Sequence, residues 1–537
     1  MHGSFLLERA ARAAGGEGLA DHPIFADAGT AIKAIPPLDS DPAGAYPGEN
    51  ECRDNPTGAI MKPTALVPYT LLLALAAAAP AAASDWPQFR GPNCSGRAAA
   101  DGPLPAEIGP TVNVRWKAAV PPGHSSPVIV GDRVYLTAER DRKLLTLALD
   151  RASGKVLWEA EAPAGPLEKI HHIGSHAQST PAADAEGVVS FFGSYGMLCY
   201  DRAGKLLWQR PMGPFKNDFG AGSSPVLAGG RVLLCQDHDQ DSFLMALDRH
   251  TGATVWKTDR PDFLRGYCTP VLWESGGRRQ VVVAGTLRVA GYDLATGKEA
   301  WTVHGIARTV CMTPVVGDDG TLYVAGWSAG GDAGARIRAE PFDSVVKRLD
   351  KNGNGKLEAT ELTAGPIAER FTQVDLDKDG SITREEYERF RGLFEKGQNV
   401  VLAIRPGGTG DVTATHVAWK NTRQVPFCSS PLYLDGCVYT VKDGGFLSCL
   451  DARDGNLVRR DRLPGRGNYY SSAVAGDGKI YVADDKGTLA VVRAGRDWQV
   501  LSSADFEESV YATPALAGGQ VFVRTAGHLY CFGAPGK

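Results

Sequence analysis

Along the chain, short apolar runs with β-branched and aromatic members alternate with turns rich in Gly, Asp and Asn, and few stretches have the period of a long amphipathic helix. One phrase punctuates the runs: Ser or Thr, then Pro, then apolar residues. It occurs at Ser126-Pro127-Val128, Thr180-Pro181-Ala182, Ser224-Pro225-Val226, Thr269-Pro270-Val271, Thr313-Pro314-Val315, Ser430-Pro431-Leu432 and Thr513-Pro514-Ala515, and Ser472-Ala473-Val474 keeps the place without proline. A second phrase follows in several units, with Asp150, Gly154 and Trp158 spaced like Asp248, Gly252 and Trp256 or Asp293, Gly297 and Trp301; a version one residue shorter runs from Asp201 to Trp208. Units of about 45–50 residues have the size of a four-stranded propeller blade.

In the second phrase Asp accepts hydrogen bonds within a turn, Gly takes the positive φ that the turn requires, and Trp carries apolar area into the seam between neighbouring units. A unit alone cannot bury both faces, whereas units stacked radially can. Trp116 precedes the first Ser-Pro phrase as the other tryptophans precede theirs, and the last unit ends after Leu529-Tyr530-Cys531-Phe532 without one. The expected fold is therefore all-β, an eight-bladed β-propeller over 84–340 and 397–537. The strand at Val114–Lys117 completes the eighth blade.

Unit five is stretched between Thr321–Gly326 and Val400–Ile404 by a charged, helical segment, expected at 341–396 as a small α-helical EF-hand pair. Asp350, Asn352, Asn354, Gly355, Glu358 and Glu361 occupy positions 1, 3, 5, 6, 9 and 12 of a twelve-residue loop. Asp375, Asp377, Asp379, Gly380, Thr383 and Glu386 repeat them. Calcium takes six to eight hard oxygens: short carboxylates and amides at alternate positions, a carbonyl at position 7 (Lys356 and Ser381), and a bidentate Glu at the end. Phe342, Val346 and Leu349 precede the first loop at the offsets of Ile367, Phe371 and Val374 before the second, and Leu357 and Ile382 hold the apolar eighth position where paired loops pack. Two calcium ions are expected. The second loop, with acidic residues at positions 1, 3, 5 and 12, is expected to bind tighter, and the pair to act as a static clamp.

The run from Ala148 to Trp158 resembles the tryptophan-docking repeat of the quinoprotein (PQQ-dependent) dehydrogenase propellers, a repeat also found in the propeller lipoprotein of the outer-membrane β-barrel assembly machinery. The start, Asp85-Trp86-Pro87-Gln88-Phe89-Arg90-Gly91-Pro92, resembles the mature N-terminus of secreted PQQ-repeat proteins of planctomycete type. The resemblance implies a central funnel, and residues just before each Ser/Thr-Pro phrase fall on that face: His124, His176, Arg265, Tyr267, Arg308, Arg423, Asn468, Tyr470, Glu508 and Tyr511. Three arginines there could hold an anion, and PQQ is a tricarboxylate. The dehydrogenases also carry adjacent cysteines against the quinone, and this chain has no Cys-Cys pair. Two readings stay open. One is a binding or scaffolding propeller for a protein, peptide or glycan; the other is a PQQ-dependent or degenerate oxidoreductase. The run His171-His172-Ile173-Gly174-Ser175-His176 reads as a solvated loop.

A formal net charge of −4 over 537 residues gives no bulk attraction for nucleic acid. Met61 to Ser84 has a basic start at Lys62, an apolar run through Leu71-Leu72-Leu73 and small residues at Ala81-Ala82-Ala83, the physical parts of a signal peptide at 61–83. Residues 1–60 then read as the product of a misplaced translation start or as a disordered leader, and the mature protein is expected to be periplasmic or extracellular without a membrane span. Of ten cysteines, most lie in apolar strand patterns, among them Cys199, Cys235 and Cys449, and read as small buried hydrophobes.

Overall fold

The computed structural model describes residues 84–336, 340–362 and 367–534. The expected leader at 1–60 and the expected signal peptide at 61–83 lie outside the described residues. Eight antiparallel sheets succeed one another along the chain, seven starting at a Ser/Thr-Pro phrase and blade seven at Ser472-Ala473, and each meanders outward. Blade one, for example, comprises Val128–Val130, Arg133–Arg140, Lys143–Asp150 and Val156–Glu161. Val114–Ala119 pairs antiparallel with His528–Gly533, Trp116 opposite Cys531, so the last blade borrows its outer strand from the start of the repeats. This is the expected closure, two residues longer than the sequence pattern indicated.

The Ser/Thr of the first phrase has a physical role that its recurrence alone does not reveal. The backbone N–H of Ser126 donates to the Thr180 hydroxyl (2.9 Å), Thr180 to Ser224 (3.0 Å), Ser224 to Thr269 (3.1 Å) and Thr269 to Thr313 (3.3 Å). Thr313 continues to Ser430 (3.1 Å), Ser430 to Ser472 (3.0 Å), Ser472 to Thr513 (2.9 Å), and Thr513 returns to Ser126 (3.0 Å). The hydrogen-bonded cycle passes once through every blade. Because each donor is buried, each hydroxyl answers an N–H that would otherwise be left unpaired.

The second phrase locks the periphery. Trp208 Nε1 donates to the Arg249 carbonyl of the next blade (3.0 Å), and its ring lies where a Cβ on Gly252 would be 2.7 Å away. Trp116, Trp158, Trp256 and Trp419 dock in the same way on Gly154, Gly204, Gly297 and Gly455. Trp301 departs from the pattern. It bonds to Gln280 of its own blade (2.9 Å) and meets Trp273 edge-on, because blade five has no Asp-x-x-Thr-Gly turn to receive it. Instead, Gly410–Asp411 from blade five pairs parallel with Trp301–Thr302, giving blade four a fifth strand.

Inner strands are sheet edges, and their channel-facing N–H and C=O groups need partners. The segment from Asp85 to Asp101 supplies them. Trp86 exchanges backbone hydrogen bonds with Ile129 of blade one, Pro87 accepts from Ala183 of blade two, and the Gln88 side chain accepts from Leu227 of blade three. Asn93 brackets Leu272 of blade four (2.8 and 2.9 Å), Arg97 pairs with Asp318 of blade five (2.6 Å), and Arg90 donates to Pro431 before blade six (2.7 Å). Gly96 and Ala98 bracket Ala475 of blade seven, and Asp101 accepts from Gly518 of blade eight (2.9 Å). The contacts with blades one to four and seven fall on the third residue after the hydrogen-bonded cycle, away from the funnel entrance.

Candidate metal centre

The insert leaves the ring between the second and third strands of blade five, Leu322–Gly326 and Val400–Ile404, as expected. It contains α1 (Phe342–Leu349), α2 (Phe371–Val374) and α3 (Arg384–Lys396). These close over their own small core of Phe342, Val345, Leu357, Val374, Ile382 and Tyr387. Leu357 and Ile382, position eight of each loop, lie opposite each other in a two-residue antiparallel pairing, both fully buried. The two loops are thereby joined back to back.

In the second loop the backbone turns through Gly380 at φ 87°. Side-chain oxygens of Asp375, Asp377 and Glu386 lie within 4.8 Å of one another. Asp375 Oδ1 is buried and has no hydrogen-bond partner among the described residues, while Oδ2 accepts from Gly380 N–H (3.1 Å). Asp379 accepts from the Ser381 hydroxyl (2.7 Å) and from Lys356 Nζ of the first loop (3.0 Å), which hold its carboxyl down at about 2. Glu386 accepts from Leu376 N–H and Thr383 N–H, each at 2.8 Å, and completes a capping box with Thr383 at the start of α3. Burial raises its pKa, but these hydrogen bonds outweigh burial and leave it below the usual carboxylate range.

In the first loop Gly355 turns at φ 76°. Asp350 accepts from Gly353 and Gly355 (2.7 and 2.8 Å). Glu361 accepts from Lys351 and Glu358 N–H groups (2.7 and 3.1 Å). Here Glu358 faces the amides, accepting from Asn352 and Asn354, so the acidic ligand set is not gathered as it is in the second loop. The donor chemistry of the second loop suits a hard divalent ion: carboxylates, a hydroxyl and one buried oxygen without a partner.

The second loop also docks on the ring. Gln240 Nε2, between the second and third strands of blade three, donates to the carbonyls of Thr372 and Asp375, both at 2.8 Å. Lys378 pairs with Asp241 (2.7 Å), and Arg389 of α3 reaches Pro261 O and Asp262 (2.7 and 3.1 Å). No sequence motif marked Gln240, Asp241 or Asp262, which lie in polar loops like many others.

The funnel candidates have separate fates. His124 stacks on Tyr511 at 4.3 Å, and Tyr511 meets Tyr470 at 5.5 Å. Tyr267 donates to Asn217, Asn468 to Asp485, and Glu508 pairs with His528. His176 pairs with Glu139 (2.9 Å), a carboxylate brought from a neighbouring strand that sequence spacing did not reveal. The convergence of three arginines on an anion is not what the structure has. Arg265 is already bound by Asp239 and Asp218, and Arg423 is exposed beside its own turn. Arg308 remains without an acidic partner among the described residues, and Nε and Nη2 of its guanidinium are buried and unpaired. The described residues contain no helix long and apolar enough to cross a membrane.

Residues 109–218, 181–330 and 394–534 match the PQQ_2 family model, described as outer membrane protein assembly factor BamB. The chain belongs to this family. Residues 367–390, spanning the second loop, match the EF-hand model. Among relatives, outer membrane protein assembly factor BamB of Alkalilimnicola ehrlichii is 35% identical over 148 residues, 27% of this chain and 34% of that protein. BamB of Yersinia pestis is 24% identical over 393 residues, 70% of this chain and 87% of that protein. The alignment thus spans about a third of the first relative and most of the second. The probable calcium-binding protein CML29 of Arabidopsis thaliana is 34% identical over 70 residues, 11% of this chain and 83% of that protein. A europium-containing methanol dehydrogenase superposes with a TM-score of 0.51 at 11% identity, covering 84% of this chain and 98% of that one, a likeness of fold alone. The expected quinoprotein-type repeat and the EF-hand are both borne out.

Proposed function

We propose that this protein is an exported, calcium-binding propeller that works as a binding module, with calcium in the paired loops clamping the insert onto the ring. Asp350, Asn352, Asn354, Glu358 and Glu361, with the Lys356 carbonyl, hold one ion. Asp375, Asp377, Asp379, Thr383 and Glu386, with the Ser381 carbonyl, hold the other. The observation that carries the reading is Asp375 Oδ1, buried without a partner inside a cluster of three carboxylates. Burying a carboxylate oxygen unpaired is costly, and a divalent ion removes the cost. The ion supplies charge neutralisation and rigidity, and the ring supplies the surface. Likeness to assembly factors favours a protein or peptide as partner at the funnel face.

Calorimetric titration of chelator-treated protein tests the reading. We expect uptake of two calcium ions, with Glu386→Gln removing the tighter site and Glu361→Gln the weaker. No uptake at millimolar calcium would reject it. Dye-linked alcohol oxidation after incubation with PQQ and calcium would replace the binding module with an oxidoreductase.

A further inference from the structure

Of the nine cysteines among the described residues, seven are buried and two are half-buried, Cys311 and Cys428. These two occupy the same place in the repeat. Cys311 stands two residues before Thr313, and Cys428 two residues before Ser430. Thr313 N–H donates to the Ser430 hydroxyl at 3.1 Å, one link of the hydrogen-bonded cycle, so the backbones carrying the two cysteines are held side by side where blade five meets blade six. Trp327 of blade five meets Phe427, the residue before Cys428, edge-on at 4.6 Å and packs the same seam.

Residues at this place touch their neighbours elsewhere around the funnel. Tyr470 meets Tyr511 at 5.5 Å, Tyr511 stacks on His124 at 4.3 Å, and the Tyr267 ring lies where a Cβ on Gly222 would be 2.7 Å away. Each of these residues also stands two before the Ser or Thr of the cycle. Between Tyr267 and Tyr470 the succession passes through the cysteines, and the Cys311 thiol lies within hydrogen-bonding reach of the Cys428 thiol. That contact, with burial second, pushes the Cys428 thiol well above its ordinary range. Cys428 therefore keeps its proton and turns it towards Cys311, which leaves Cys311 as the sulfur that attacks first. Two thiols in such reach, on backbones fixed side by side, have the proximity that a disulfide requires.

We propose that Cys311 and Cys428 form a disulfide that fastens blade five to blade six at the funnel, with a small-molecule disulfide such as oxidised glutathione as the oxidant. The Cys311 thiolate attacks one sulfur of glutathione disulfide, forming a mixed disulfide and releasing one glutathione thiolate. With Cys311 so capped, the neighbour that held the Cys428 proton is neutralised. The Cys428 thiolate then attacks the Cys311 sulfur, the bond between blades forms, and the second glutathione leaves. Two protein thiols lose two electrons and two protons, and two glutathione thiols gain them. Cys311 and Cys428 have the same separation as Thr313 and Ser430, 117 residues, so the link encloses blade five and the whole EF-hand insert in one covalent loop. Closing so long a loop restricts the unfolded chain, and the bond persists in an oxidising compartment. The proposal goes beyond the calcium reading and does not depend on it.

The test is peptide mass spectrometry on the full chain, purified reduced, equilibrated with oxidised glutathione and alkylated before digestion. A peptide pair linked through Cys311 and Cys428 is expected, with the seven buried cysteines unlinked. The linked protein should melt about 3 °C or more above the reduced protein. Cys311→Ser should give no linked pair and melt alike in oxidising and reducing buffer, and Cys437→Ser, which removes a buried thiol of blade six, should keep the link. Free thiols at both Cys311 and Cys428 after equilibration overturn the proposal, as does linkage of either one to another cysteine. A bond that forms only in urea overturns it too, because the folded ring would then hold the thiols apart, and equal melting of the linked and reduced forms removes the fastening role. The mass measurement is made on the parent chain, so the outcome does not hang on whether a variant folds.

Discussion

At Gly252 two demands coincide: a φ of 69° and a Trp208 ring where a side chain would begin. Gly230 has nearly the same φ, 75°, with no atom within 4 Å of an added Cβ. Gly252→Ala should therefore cost more than Gly230→Ala in denaturant unfolding, and upwards of about 1 kcal/mol in total, because only the first also displaces a docked ring. Buried histidines add a pH dependence. Burial, with Arg524 nearby, lowers His124 to about 4, and burial lowers His238, stacked on Phe215 at 4.0 Å, to about 3. Both are neutral in the fold and protonate more readily when unfolded. The unfolded chain thus binds more protons below pH 6.5, and stability should fall as pH drops from about 6.5 towards 4. Melting curves of His238→Phe should show a shallower loss over that window than the parent. The tryptophan and glycine positions were legible in the sequence because a turn is encoded by contiguous residues. The pairing of Arg265 with Asp239 and of His176 with Glu139 was not, since it depends on which loops the ring brings together.

The EF-hand insert shows the same division between local and long-range information. Its two loops, the apolar eighth position of each and its point of insertion follow from spacing along the chain: Leu357 pairs with Ile382 and the insert leaves blade five where the pattern indicated, while the acidic residues are gathered only in the second loop. Its attachment to blade three joins residues from distant turns through ordinary polar groups, so no motif announces it. Gln240 is the informative residue, because one amide serves both Thr372 O and Asp375 O. Removing it leaves two carbonyls, one on the residue that begins the second loop, without their ring partner. Gln240→Ala should weaken calcium binding at the second loop several-fold while sparing the first, measured by calorimetry on the full chain. Equal weakening of both loops would mean that the insert responds as one body and that its clamp lies elsewhere. Lys356 would work against this site, since a calcium ion bound there would share Asp379 with its ammonium group.

On the scale of the whole molecule the ring is closed three times over, and the three closures have different reach. The borrowed strand Val114–Ala119 joins blade eight to the start of the repeats. The Ser/Thr cycle joins each blade to the next, so breaking one link should cost about 1–3 kcal/mol for the N–H left unpaired, wherever in the ring it falls. Ser472, which lacks the proline of its counterparts, takes its place in the cycle all the same, which separates the work of the hydroxyl from that of the proline. The segment Asp85–Asp101 reaches all eight blades at once. Its resemblance motif was visible in the sequence, but its role was not, because its residues reach blades that lie far apart along the chain. Trp86 is fully buried against blade one, with backbone bonds of 2.7 and 2.9 Å to Ile129. Trp86→Ala should destabilise by about 3–5 kcal/mol through lost packing. Asn93→Ala removes only the bracket on blade four and should cost less. If the segment holds the blades together as a hub, Trp86→Ala should also increase amide exchange in inner strands far from Trp86, at Leu272 and Ala475. If exchange rises only beside Ile129, the segment is a local strand addition and each blade is held by its neighbours alone.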